Sequence, residues 1–122
     1  MSDAVTFTWK KIDLATGRLS EMVEFYTDVF GIDFEPIPVG DSKLYCGWLG
    51  GIELLLAPKE LSGHKPDDTG VHQFHIVVSD LSVVRQRCES LGYEIEESSF
   101  GDGKEAFCLR DPDGNPLILV QE

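Results

Sequence analysis

The chain repeats itself. Gly31-Ile32-Asp33-Phe34-Glu35 matches Gly92-Tyr93-Glu94-Ile95-Glu96, and ten residues beyond each glycine Asp41-Ser42-Lys43 matches Asp102-Gly103-Lys104. Self-similarity on this scale means one supersecondary unit built twice, which excludes folds whose two halves differ in kind. The order of elements within each copy then decides the architecture.

In the first copy Val5, Phe7 and Trp9 alternate with Thr6, Thr8 and Lys10, which predicts a strand over residues 5–13. From Ser20 the period changes. Met22, Val23, Phe25, Tyr26, Val29 and Phe30 recur at helical spacing, and Gly31 supplies a left-handed stop. Strands follow over 32–39, 43–49 and 52–57, separated by Gly40-Asp41-Ser42 and Gly50-Gly51. Residues 14–18 read as a small insertion ahead of the helix. The stretch 58–70 carries Pro58, Gly63, Pro66 and Asp67-Asp68 and reads as a linker. The pattern then restarts, with a strand over 71–79 and a helix over 80–91 whose Leu81, Val84, Cys88 and Leu91 share a stripe ending at Gly92. Strands over 93–97, 104–110 and 116–121 complete it.

Each copy is too small to bury both faces of its strands. The expected fold is therefore α+β. Two tandem βαβββ modules, residues 5–57 and 71–122, form a curved eight-stranded mixed sheet with the helices on its outer face, and the concave face is a cup for a small molecule. At 122 residues and 42% hydrophobic content the chain suits one domain with its own core. The net charge of -12 opposes a phosphate backbone or an anionic bilayer, so neither nucleic acid nor membrane is expected as a partner. Cys46, Cys88 and Cys108 make an odd set without a CxxC pair, which fits a reducing compartment. The sequence starts without a basic segment followed by an apolar one, and no run approaches the roughly 18 apolar residues of a membrane span. A cytoplasmic protein is expected.

Three segments carry a family resemblance: Val23-Glu24-Phe25-Tyr26-Thr27-Asp28-Val29-Phe30-Gly31 on the first helix, Val77-Val78-Ser79-Asp80-Leu81 leading into the second, and Asp111-Pro112-Asp113-Gly114-Asn115 before the last strand. Together and in order they resemble the vicinal oxygen chelate superfamily, which includes glyoxalase I, extradiol dioxygenases, fosfomycin resistance enzymes and bleomycin resistance proteins. In its metal-dependent members a His or Gln on the first strand of each half and a Glu on the last strand of each half converge in the cup. The resemblance places Glu53 at one carboxylate position and Gln73 at the second module's first-strand position. It places Ile118, which has no donor atom, at the other carboxylate position, and Thr6 or Phe7 at the remaining one.

The resemblance thus implies a cup that binds a small organic ligand without a complete metal site, in the manner of bleomycin resistance proteins, and with no cofactor. Glu53, desolvated in part by Ile52, Leu54 and Leu55, suits a general base or the partner of a positive charge, either a ligand's or that of Lys10 or Lys11. Trp9, Gln73, His75, Cys108 and Ile118 are expected beside it, and Trp48 and Tyr45 are further stacking candidates. A cationic or aromatic ligand follows from Glu53 and the indoles. Relatives of this type commonly act as homodimers with the pocket near the subunit contact. The alternative is a metal-dependent lyase or dioxygenase whose divalent site is rebuilt from Glu53, Gln73 and His75. No GxGxxG, GxxxxGK[ST] or GxSxG motif occurs.

Overall fold

The computed structural model describes residues 4–62 and 72–122. The first module runs β1 (Lys11–Thr16), α1 (Leu19–Phe30), β2 (Glu35–Val39), β3 (Ser42–Leu49) and β4 (Ile52–Pro58). A short helix, α2 (Lys59–Ser62), follows within the expected linker, most of which lies outside the described residues. The second module runs β5 (Phe74–Val78), α3 (Leu81–Leu91), β6 (Ile95–Glu97), β7 (Ala106–Arg110) and β8 (Pro116–Gln121).

The eight strands form two four-stranded sheets, ordered β1-β4-β3-β2 and β5-β8-β7-β6. Each sheet is mixed for the same reason. The first strand returns through a helix and so pairs parallel with the last, while the hairpins between β2, β3 and β4, and between β6, β7 and β8, pair antiparallel. The expected α+β pair of βαβββ modules is present, as two open sheets with no hydrogen-bonded strand pair between them.

One reading fails. The first strand does not run over 5–13; it begins at Lys11 and ends at Thr16, so Leu14, Ala15 and Thr16 of the expected insertion complete it. The apolar period within it is Ile12 and Leu14, which face α1 and pair with Leu54 and Leu56 of β4. Val5, Phe7 and Trp9 alternate equally well but find no core, and they stand exposed ahead of the strand. The two helices also begin differently. Asp80 caps α3 by accepting from the Val83 N–H, whereas α1 starts after Arg18 with no side-chain cap, and Thr16 Oγ1 instead accepts from the Arg18 N–H at 2.9 Å. Both helices stop at glycines in the left-handed region, Gly31 at φ 71° and Gly92 at φ 82°.

The inner faces of both modules share one core, joining Met22, Phe25, Tyr26, Val29, Leu54 and Leu56 to Leu81, Phe107, Leu109, Leu117 and Leu119. Three contacts lock α1 to the second module. The Phe25 and Tyr93 rings meet edge to face at 5.1 Å, Arg87 Nη1 donates to the Val29 carbonyl at 2.7 Å, and the Tyr26 hydroxyl donates to Asp111 Oδ2 at 2.7 Å. Asp111 organises the turn that follows it, its Oδ1 accepting from the Asp113 and Asn115 N–H groups while Gly114 takes φ 87°. No helix among the described residues is long and apolar enough to cross a membrane.

Candidate functional site

Because Leu54 and Leu56 point into the core, Glu53 and Leu55 point to the open face of the first sheet. Register then assigns its neighbours. Lys11, Glu53 and Trp48 form one row across β1, β4 and β3, and Asp13, Leu55, Cys46 and Glu35 form the next across all four strands. The rows are linked by Cys46 Sγ, which donates to Glu53 Oε2 at 3.0 Å. That hydrogen bond, with burial and the negative charges of Glu53 and Glu35 added and Lys11 opposing, pushes the Cys46 thiol up to about 11. Lys11 Nζ leans toward Asp13 at 3.9 Å. Among the described residues no cation stands within ion-pair distance of Glu53, and beside it the Trp48 indole is 63% exposed.

On the second sheet Leu117 and Leu119 face the core, which turns His75, Ile118, Cys108 and Glu96 outward as one row. His75, Cys108 and Ile118, expected together, are together. Gln73 joins them through a 3.0 Å contact between its Nε2 and His75 Nε2. Ile118 is only 2% exposed and packs with Ala106, Cys108 and Val120, so the centre of this face is apolar, and burial is the main reason the Cys108 thiol is raised.

A divalent ion does not fit the described residues. The position that pairs with Glu53 on the first strand is Lys11, a cation, rather than Thr6 or Phe7. Ile118 offers nothing to a metal, Gln73 and His75 contact each other, and Glu53 lies on the other sheet. Among the described residues no group of three or more His, Cys, Asp and Glu side chains could hold a metal ion. Trp9, expected in the cup, lies before β1 and is 77% exposed. Of the two lysines expected near Glu53, Lys11 is the one that stands beside it, leaning toward Asp13, whereas the Cys46 thiol was not expected as its hydrogen-bond partner. The misplaced strand start left the choice between Lys10 and Lys11 open; the Ile12–Leu14 alternation ending at Thr16-Gly17 is the signal that fixes it.

No curated protein matches the chain in sequence. Solved structures match its fold. Lactoylglutathione lyase from Agrobacterium tumefaciens is 21% identical, over 98% of this chain and 94% of that one, with a TM-score of 0.72. TnmS3, an antibiotic binding protein from Streptomyces sp. CB03234, is 15% identical, over 97% and 98%, with a TM-score of 0.76. Oxidase ChaP-H2 is 15% identical, over 97% and 95%, with a TM-score of 0.75. At such identities the likeness is one of fold, and relatives with one fold differ in chemistry. The sequence profile of a single family nevertheless matches residues 8–119, and the chain belongs to the Glyoxalase/Bleomycin resistance protein/Dioxygenase superfamily.

Proposed function

We propose that the protein binds a small organic cation with an aromatic or apolar body on the open face of its first sheet, and that Glu53 acts there as a recognition group. The carrying observation is the row Lys11–Glu53–Trp48, in which a carboxylate that has no cation within ion-pair distance among the described residues adjoins an exposed indole. A carboxylate and an aromatic face attract the same cationic head, and the indole adds a flat apolar surface for the rest of the molecule. The Cys46 hydrogen bond orients Glu53 without neutralising it. A family fold shared with an antibiotic binding protein supports ligand capture as the role. The incomplete metal set supports a function that needs no resident divalent ion. The protein acts as a homodimer in which the open face of a second copy closes the cup, and its free cysteines suit the reducing cytoplasm.

Thermal shift with benzyltrimethylammonium and with benzenesulfonate tests this reading. The cation should stabilise the fold, by roughly 2.7 kcal/mol at 100 times its Kd, and the anion should not. Glu53→Gln and Trp48→Ala should each abolish the shift. Equal shifts with both compounds, or a cation shift that survives both substitutions, overturn it, and light scattering of a monomer at micromolar concentration overturns the homodimer.

A further inference from the structure

On the helix-covered side, between the two modules, lies a cavity of about 650 Å³. It lies away from the Glu53 row and meets the second sheet's open face only at the edge strand β5, through His75 and Val77. Its walls come from both modules, with Leu14, Val29 and Leu54 on one side and Ile76, Leu117 and Leu119 on the other. It is partly open to solvent, and its volume falls in the range of small-molecule pockets. Most of the walls are apolar; His75 and Ser79 of the β5 side add polar groups at the lining, and the Tyr26 hydroxyl is spent on Asp111.

The permanent cation at the lining is Arg87. It lines the cavity from α3, and its Nη1 donates to the carbonyl of Val29, which fixes the guanidinium against the end of α1. Among the described residues it forms no ion pair, although the chain carries 22 Asp and Glu residues. A guanidinium has five N–H donors in a planar fork, so one bond to a carbonyl leaves most of its capacity for an anion. A largely apolar chamber beside an anchored cation that has no carboxylate partner among the described residues is complementary to an apolar molecule that ends in a carboxylate.

We propose that this inter-module cavity binds an amphipathic organic anion, a medium-chain or aryl-substituted carboxylate, with its apolar body among the leucines and its carboxylate on Arg87. The site differs from the one at Glu53 in both location and ligand charge, so the two stand or fall separately. Calorimetric titration of the full chain with decanoate, below its micelle concentration, should give saturable binding, and decylammonium should bind more weakly. Arg87→Gln should weaken decanoate by about tenfold to a hundredfold, the range of a lost charge-assisted hydrogen bond, and Arg87→Lys by less. Val84→Phe, which adds bulk at a cavity-lining position of α3, should abolish binding of decanoate while Glu53→Gln leaves it intact. Circular dichroism confirms that each variant is folded. No saturable binding to the folded wild type, or binding indifferent to both Arg87→Gln and Val84→Phe, overturns the proposal. So does a Val84→Phe variant that changes only the oligomeric state, because a second copy would then be the occupant.

Discussion

Tyr26→Phe removes one hydroxyl and leaves the ring in place, which makes it a clean probe of how the modules are joined. The hydroxyl donates to Asp111 Oδ2 at 2.7 Å across 85 residues of chain, with Tyr26 2% and Asp111 4% exposed. Oδ2 keeps a second donor, Asn115 Nδ2 at 2.8 Å, and Oδ1 keeps the Asp113 and Asn115 N–H groups. The carboxylate therefore stays bound but loses one charge-assisted bond in a place water does not reach. Such bonds contribute about 1.5–3 kcal/mol, so a loss near 2 kcal/mol is expected, or a fall in Tm of roughly 6–12 °C for a domain of this size. Asp111→Asn should cost about 2–4 kcal/mol, because its amide would face donors and the carboxylate charge that holds the turn is gone. The double variant should lose less than the sum, with a coupling of at least about 1 kcal/mol. Urea unfolding followed by tryptophan fluorescence measures all three, with unchanged m-values as the check that the unfolding surface is the same.

The same bond has a signature in alkali. Burial first, then the charge of Asp111 and the hydrogen bond to it, hold the Tyr26 hydroxyl protonated far above the usual tyrosine range. In the unfolded chain the phenol ionises near its ordinary pKa of about 10. Above that pH the unfolded state binds fewer protons than the native state. Stability is thus fully present below about pH 10 and falls above it, by up to about 1.4 kcal/mol per pH unit. Tyr26→Phe should flatten the part of this decline that belongs to Tyr26. A cost under about 0.5 kcal/mol, strict additivity with Asp111→Asn, or an unchanged alkaline slope would refute the reasoning.

Glu53→Gln should return the Cys46 thiol, now at about 11, toward ordinary cysteine behaviour; iodoacetamide at pH 8.5 should then alkylate Cys46 several-fold faster than in the wild type, as read by peptide mass spectrometry. Asp80→Ala removes the acceptor for the Ser82 hydroxyl and the Val83 N–H, so hydrogen exchange in the first turn of α3 should quicken and Asp80→Asn should restore most of its protection. Those same bonds, Ser82 first, hold the Asp80 carboxyl below its usual range, so its stabilisation is present above the ordinary aspartate pKa and lost as pH falls below it, a trend that Asp80→Ala should lack. Gly31→Ala places a Cβ at φ 71° and should cost about 1 kcal/mol in urea unfolding, with no loss of fold.

How much of this was legible in the sequence differs between the modules for physical reasons. Asp80 and Gly92 bracket α3 with side-chain and backbone chemistry that is local, so its limits can be read without neighbours. The first module has no acidic cap before α1, and Val5-Phe7-Trp9 carries the same period as Ile12-Leu14. Two candidate strands then compete for one place, and the choice is made by pairing with Leu54 and Leu56 of β4, forty residues away in sequence. Local pattern records which side chains alternate. It does not record which alternation meets a core.

The site follows the same logic one level up. Glu53 and Ile118 were reachable by counting from turn motifs, because a hairpin fixes what lies a set distance along its strand. The Cys46 contact was not, since it joins Glu53 only across the β3–β4 pairing, and the choice between Lys10 and Lys11 waited on the register of β1. The inter-module cavity was further out of reach. Ile76, Leu117 and Leu119 have the pattern of ordinary core residues, and whether such residues touch or leave a chamber depends on how two sheets and two helices are set against each other. Arg87 marks the difference. Exposed on the surface of α3, it is nonetheless anchored to Val29 of the other module and so brings charge to the edge of an apolar volume. A ligand that fills the volume and reaches the guanidinium would touch both modules at once. Its binding should therefore resist separation of the modules, and the increase in unfolding free energy should be smaller in Arg87→Gln than in the wild type at the same decanoate concentration.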